Sequence, residues 1–291
     1  MIKKILVALD GSKLAEQVLP YARLLGEAYQ CPIELLSIDE AEITATFGPS
    51  GGRGGDYLKS MAGQFPATLK IDAVVERGRP GDVIVQRAKL EPGCLIAMAT
   101  HGLSGLKRWL LGSVAAKVIQ AAENPLLLVR ARGEAEATLK SFGIIVPLDG
   151  SELAEAVLPI AVDIAKRIKT EIVLVRAYEL PVTAYYRTDD YEEAQAFIPT
   201  RQELVAELSR EAREYLDAKI KEIRDGGFER IRSEIVEGPA AEQIIDLART
   251  SGGLIAMCTH GRSGVKRWVL GSVTEKVVHH AASPLLIVRA R

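Results

Sequence analysis

ATHGLSGLKRWLLGS spans residues 99–113, and CTHGRSGVKRWVLGS spans residues 258–272. The two segments lie 159 positions apart and belong to a longer repeat. Residues 96–132 align with 255–291 without a gap, with 25 of 37 positions identical. Upstream, ILVALDGSKLAEQVLPYA (5–22) matches IIVPLDGSELAEAVLPIA (144–161) at an offset of 139. The growth of the offset places about 20 extra residues in the middle of the second copy. A repeat this long marks a duplicated domain rather than a short-period solenoid. The expected units are residues 1–135 and 140–291, joined through the polar stretch RGEAEATLKS (132–141).

Each unit reads as alternating strands and helices. IKKILVAL is a short run rich in Ile, Leu and Val, which predicts a buried strand. DGS stops it, Ser12 is placed to cap a helix, and Leu14, Val18, Leu19, Ala22 and Leu25 follow at helical spacing. IELLSI, KIDAVVERG and CLIAMA are the next strands, with a helix around Val83, Ile84 and Ala88 that ends at Pro92-Gly93. A helix over about 113–122 and a final strand PLLLVR complete the unit. Strands separated by helices imply a parallel sheet covered on both faces, hence an α/β fold. The copies differ in their middles. The first carries GPSGGRGG (48–55), read as a surface loop because it lacks the Gly-Lys-Ser/Thr ending of a phosphate loop. The second carries a polar stretch (181–200) and a long charged helix over about 200–224, with Leu204, Leu208, Ala212, Tyr215, Leu216 and Ile220 on one stripe. Ser251-Gly252-Gly253 reads as a turn.

Composition narrows the function. Of the 291 residues, 48% are hydrophobic and 26% charged, as in globular domains with ordinary cores. A net charge of −1 gives no general grip on nucleic acid or an anionic membrane, and 5% aromatics offers few stacking platforms. The three cysteines, Cys31, Cys94 and Cys258, show no metal or redox spacing, so reduced thiols and a cytoplasmic location are expected. The apolar run after MIKK ends at Asp10, too soon for a signal-peptide core, and no stretch is long enough for a membrane span.

In a parallel open sheet, ligands bind beyond the carboxyl ends of the strands where strand order reverses. Asp10 and Asp149 sit at the end of the first strand of each copy, and Thr100-His101-Gly102 and Thr259-His260-Gly261 at the end of the fourth. Gly102 and Gly105 permit a tight turn and close approach. Gly112-Ser113 and Gly271-Ser272 then open helices whose free N–H groups suit phosphate. Ser272-x-x-Glu275 has the pattern of a capping box, and Ala116 replaces the acid in the first copy. The aspartates would then take ribose hydroxyls or base edges. The competing reading is plainer: glycines at strand–helix turns are often only turns, and Gly-Ser only a cap.

The strand-end aspartate, the T-H-G-x-S-G segment, the later L-G-S-V and the final Pro-led strand occur in the same order in both copies. This pattern resembles the universal stress protein family over nearly the whole chain. The resemblance implies two tandem Rossmann-like domains of the adenine nucleotide alpha hydrolase type, each a five-stranded parallel sheet with helices on both faces. It also implies a pseudo-dimer in which PLLLVR (125–130) and PLLIVR (284–289) pair antiparallel within one molecule. Many members bind ATP through a G-x2-G-x9-G-S/T motif. On this chain the motif maps to Ala99, Gly102, Gly112 and Ser113, and to Cys258, Gly261, Gly271 and Ser272. Phosphates would meet backbone amides at Gly102, Gly112, Ser113 and Val114, and at Gly261, Gly271, Ser272 and Val273. Adenosine would meet Asp10 and Ile38 in the first copy, and Asp149 and Ala177 in the second. Both copies depart from the pattern at the first glycine. If that position needs a glycine φ or close ribose approach, Cys258 obstructs more than Ala99, so the first copy is the expected better site.

The remaining residues read more plainly. His101 and His260 are read as turn-stabilising or phosphate-proximal rather than catalytic, and no second ligand stands at zinc spacing. Lys107-Arg108 and Lys266-Arg267 fit either phosphate contacts or a solvated helical turn. Trp109 and Trp268 read as core or interface anchors. The expected function is ATP binding, with Mg²⁺ as companion, by a stress-response regulator with at most slow hydrolysis. Its partners would be adenine nucleotide, unidentified proteins and, through the same kind of strand edge, a second copy in a homodimer. The alternatives are a scaffold with degenerate sites and an ATP-using enzyme. Against the last, no paired acids, activated nucleophile or adenylation signature stand beside the glycine loops.

Overall fold

The computed structural model describes residues 1–39, 53–100, 111–130, 143–180, 200–259 and 270–290. The first half runs β1 (Lys4–Ala8), α1 (Lys13–Glu16), α2 (Leu19–Tyr29), β2 (Ile33–Asp39), α3 (Arg53–Ala62), β3 (Ile71–Arg77), α4 (Pro80–Lys89), β4 (Cys94–Ala99), α5 (Ser113–Ala121) and β5 (Leu126–Val129). The second half repeats the plan: β6 (Ile144–Pro147), α6 (Glu152–Glu155), α7 (Leu158–Ile168), β7 (Ile172–Tyr178), α8 (Arg201–Asp225), β8 (Ile231–Glu237), α9 (Ala240–Ser251), β9 (Leu254–Cys258), α10 (Ser272–His280) and β10 (Leu285–Val288). The join at 131–142 lies outside the described residues.

The strands form one sheet in the order β3-β2-β1-β4-β5-β10-β9-β6-β7-β8. Pairing is parallel within each half. The halves meet through an antiparallel pair, with Leu285 opposite Leu128, Leu286 opposite Leu127 and Ile287 opposite Leu126. β5 and β10 each have a neighbour on both sides, so these two strand edges are used within the chain, as the resemblance implied. The outermost strands are β3 and β8.

Both faces of the sheet are apolar, which explains the near-continuous hydrophobic strands. Alternate residues divide between two layers. Ile5 and Val7 pack with Ala15, Leu58, Ala161 and Leu216 under the layer of α1, α2, α3, α6, α7 and α8. Leu6 and Ala8 pack with Ile84, Val118, Ile244 and Val277 under α4, α5, α9 and α10. Each layer continues across the junction, with Leu127 and Leu286 in one and Leu128 and Leu285 in the other. The first layer is also tied across the halves by polar contacts. Tyr29 of α2 donates to Asp163 of α7 at 2.7 Å, and Arg167 stacks 4.3 Å over the Tyr29 ring.

Local signals hold in both copies. Ser12 and Ser151 accept from the Ala15 and Ala154 amides, at 3.0 and 3.2 Å. Gln30 and Lys169, at equivalent positions, end α2 and α7 in the left-handed region. The charged helix of the second copy starts at a full capping box between Thr200 and Glu203 and buries Ala212, Leu216 and Ile220. The loop expectation for GPSGGRGG is corrected at its end: 48–52 lie outside the described residues, but α3 begins at Arg53. Burial of Leu58 and Met61 overrides the poor helix propensity of Gly54 and Gly55.

Candidate functional site

In each half the chain runs β1→β2→β3 one way and then crosses back to β4, so strand order reverses between β1 and β4, and likewise between β6 and β9. The crevice predicted for a ligand opens at the carboxyl ends of these strands. Asp10 and Asp149 follow β1 and β6 there, and Ala99 and Cys258 are the last residues of β4 and β9.

The aspartates are held by the turn they begin. Asp10 Oδ1 accepts from the Ser12 amide at 2.9 Å and the Ser12 hydroxyl at 2.6 Å. Asp149 Oδ1 does the same with Ser151, at 3.0 and 2.6 Å. Gly11 and Gly150, at φ of +84° and +86°, make the turn that brings serine back to the carboxylate. Each carboxylate is thereby fixed in orientation at the mouth of the crevice.

A cavity of about 280 Å³ occupies the crevice of the second half. Leu148, Asp149 and Cys258 line it at the strand ends, and Val175, Ala177, Ile244 and Met257 give it apolar walls. Gly271, Ser272, Val273 and Thr274 close it with the first turn of α10. The structure therefore brings together Asp149, Ala177, Cys258, Gly271, Ser272 and Val273, all named from sequence. Gly102, Gly261, His101, His260, both Lys-Arg pairs and both tryptophans fall in 101–110 and 260–269, outside the described residues. In the first half, Asp10, Ile38, Ala99, Gly112, Ser113 and Val114 occupy the equivalent strand ends and helix start.

Three sequence expectations change on the structure. First, the amides of Gly112 and Gly271 donate to the Thr100 and Thr259 carbonyls, at 2.9 and 2.8 Å. They anchor the helix start to the end of the strand, and the outward N–H groups are those of the next three residues. Second, Ser272 does not form a capping box. Gly271 is the N-cap, with extended φ −61° and ψ 148° and no side-chain cap bond, and Ser272 is already inside the helix. Its hydroxyl therefore cannot reach back over the first turn. Third, the position of the first motif glycine needs no glycine conformation. Among described residues, only Gln30 and Lys169 are non-glycine residues with positive φ. Ala99 and Cys258 are ordinary strand ends, and Cys258 packs in the core layer with Ala154 and Val157, leaving the cavity open beside it.

That cavity lies in the half opposite to the one favoured from the Ala99–Cys258 contrast. The copies differ at two positions near these helix starts. A Cβ on Gly81 would stand 2.6 Å from Lys117 Cγ and 2.9 Å from its Cβ, so α4 and α5 approach more closely than an alanine allows. The second copy has Ala241 at this position, buried in α9. A second difference is Thr274, where the first copy has Ala115. Its hydroxyl donates to the Cys258 carbonyl at 2.9 Å and pins the helix to the strand end. Neither Ala241 nor Thr274 was singled out from sequence, although both are visible as mismatches within the repeat.

Burial pushes the Cys258 thiol up to about 12, so it stays protonated. Cys94 is raised to about 12 for the same reason, and the three cysteines are buried and unbridged. Burial, then the Glu155 carboxylate accepting its proton at 2.8 Å, holds the Tyr215 phenol neutral. Lys219 pairs with that same carboxylate at 2.7 Å. No group of three His, Cys, Asp or Glu able to hold a metal occurs among the described residues.

Comparison with known proteins gives the relatives of the chain. The model of the universal stress protein family matches residues 1–130 and 143–289. Universal stress protein MJ0531 of Methanocaldococcus jannaschii is 30% identical over 148 residues, covering 50% of this chain and 81% of that protein. Universal stress protein Rv2005c of Mycobacterium tuberculosis is 24% identical over 242 residues, 81% of this chain and 71% of its own length. The crystal structure of a universal stress protein from Archaeoglobus fulgidus superimposes with a TM-score of 0.67 at 18% identity, covering 99% of this chain and 98% of that one.

Proposed function

Since the chain belongs to the universal stress protein family, we propose that it binds adenine nucleotide, as ATP, in the crevice of its second half and serves as a stress-response regulator without strong catalysis. The observation that carries this reading is the cavity of about 280 Å³ at the switch in strand order, lined by six of the residues named from sequence.

The chemistry of the lining fits the ligand part by part. Val175, Ala177, Ile244 and Met257 offer flat apolar contact to a purine. Asp149, oriented by Ser151, accepts from ribose hydroxyls. The first-turn amides of Ser272, Val273 and Thr274 point N–H groups at phosphate, and the helix dipole favours its charge. Mg²⁺ would arrive bound to the phosphates, its charge offset by them rather than by a protein cluster. The first half carries the same aspartate and helix start.

Other parts of the reading are proposals on the same footing. Buried, unbridged thiols suit a reducing cytoplasm, and no described helix is long and apolar enough to cross a membrane. The internal β5–β10 pairing suits a pseudo-dimer within one chain, so a homodimer would have to form elsewhere, at β3 or β8.

The test is calorimetric titration of ATP and Mg²⁺ into nucleotide-stripped protein, with Ser272→Pro and Ser272→Ala beside it. Proline is tolerated at the first helical position after an extended N-cap, so it deletes the amide without breaking α10. Stoichiometry near one, strongly weakened by S272P and far less by S272A, is expected. No binding by the wild-type protein overturns the reading in favour of a scaffold. Release of ADP or AMP well above a blank would favour an enzyme.

A further inference from the structure

The phosphate-facing helices α5 and α10 are nine residues long, roughly 14 Å from end to end. Their starts are tied to the strand ends of their own half by the Gly112–Thr100 and Gly271–Thr259 backbone bonds. Their far ends are held by the other half. Arg130, one residue beyond β5, donates from Nη1 to the Ala281 carbonyl at 3.1 Å and from Nη2 to the His279 carbonyl at 2.5 Å. These carbonyls are the C-cap and last turn of α10. Arg289, one residue beyond β10, donates from Nη1 to the Ala122 carbonyl at 3.3 Å, and Ala122 is the C-cap of α5.

The two arginines are equivalent positions of the repeat, as are Ala122 and Ala281, so the arrangement is one device used twice. The antiparallel register makes it work. β10 runs opposite to β5, so the residue leaving β5 emerges beside the segment that joins α10 to β10. The last carbonyls of a helix lack internal partners, and a guanidinium fork satisfies them while placing positive charge at the negative end of the helix dipole. The last turn of α5 has no basic residue of its own, so the cation there comes from the opposite half.

We propose that each crevice helix is positioned from the opposite half: Arg130 is a positioning residue for the nucleotide site at Ser272–Thr274, and Arg289 holds the equivalent helix start at Ser113–Ala115 in the same way. A short helix fixed at both ends moves as a rod, so a shift at its C-terminus changes where its first amides point. The inference rests on the nucleotide reading above and extends it, because it makes the ligand site of one half sensitive to the other.

The full chain carrying Arg130→Ala, Arg130→Lys or Arg289→Ala tests this. Two readouts are taken: affinity for ATP with Mg²⁺, and amide hydrogen exchange without nucleotide over 113–121 and 272–280. R130A is expected to weaken ATP binding about two- to five-fold and to speed exchange at 272–280 but not at 113–121. R289A is expected to show the mirror pattern in exchange. R130K, which keeps the charge and one donor at a time, is expected to recover part of the affinity. Unchanged affinity and exchange in R130A overturns the proposal. So does equal loosening of both helices by either variant, which would mean only a weaker junction between the halves. If the wild-type protein takes no ATP while the crossed exchange pattern holds, the nucleotide reading fails and the crossed clamp stands.

Discussion

The ion cluster under α4 gives the sharpest test of how this fold is held. Glu34 is the second residue of β2, with its side chain 4% exposed. Lys4 reaches it at 3.0 Å, and Arg87 binds it with both Nε and Nη2. Each cation has a second, more exposed acid: Glu91 lies 3.5 Å from Lys4, and Glu76 binds Arg87. The second half carries Gly143, Val173, Leu247 and Val236 at the places of Lys4, Glu34, Arg87 and Glu76, and the last three pack together in its core. The protein thus contains an apolar version of its own buried ion pair. Removing Arg87 alone strands a buried carboxylate with only Lys4, so Arg87→Leu should cost about 3 kcal/mol. Glu34→Val leaves cations that keep their outer acids and lie nearer water, so about 1 kcal/mol is expected. The double variant, which installs the pairing of the second half, should stay within about 1 kcal/mol of wild type, giving a coupling of about 3 kcal/mol. Urea unfolding followed by far-UV circular dichroism reads these losses. Additive single losses, or a larger loss from E34V than from R87L, would refute the reasoning.

The same cluster sets a pH dependence. Burial alone would raise the Glu34 carboxyl, but hydrogen bonds and charge from Arg87 and Lys4 outweigh it and hold it below the ordinary 4.5. Its contribution is therefore present above 4.5 and is lost as pH falls through the lower native value. Urea midpoints at about pH 6 and about pH 3.5 should diverge more for wild type than for E34V/R87L. Gly81→Ala should destabilise by about 1–3 kcal/mol through the Lys117 contact, and Lys117→Ala should recover part of that loss, both read as thermal midpoints. Thr200→Ala removes the hydroxyl that caps the Glu203 amide at 3.2 Å, so exchange in the first turn of α8 should quicken, with a local loss of about 1 kcal/mol.

Much of the fold was legible because its signals are local. The Ile-Leu-Val runs, the Ser12 and Ser151 caps and the stripe of α8 all follow from spacing, and the repeat doubled each reading. The positions of Asp149 and Ser272 were legible for the same reason, since strand ends and helix starts in a parallel sheet share one edge, whereas Ala177 was named only through the family resemblance. What escaped the sequence depends on partners far along the chain. Glu34 sits in IELLSI and looks like an interruption of a strand, because Arg87 is 53 residues away. The occupied Gly112 and Gly271 amides depend on carbonyls across a glycine loop. The cap at Ser272 failed by a single position, which pattern alone cannot resolve. Arg130 and Arg289 stand out only once the strands are known to run in opposite directions.

The antiparallel junction of β5 with β10 also changes what substitution can do to this molecule. In a symmetric pair of identical chains, every replacement appears twice, and a change that suits one site is imposed on both. A single chain that carries both copies escapes that constraint. Valine at 173 can stand beside glutamate at 34, alanine at 241 beside glycine at 81, and threonine at 274 beside alanine at 115, each without a mirror image. Each copy is then free to change without imposing the change on the other.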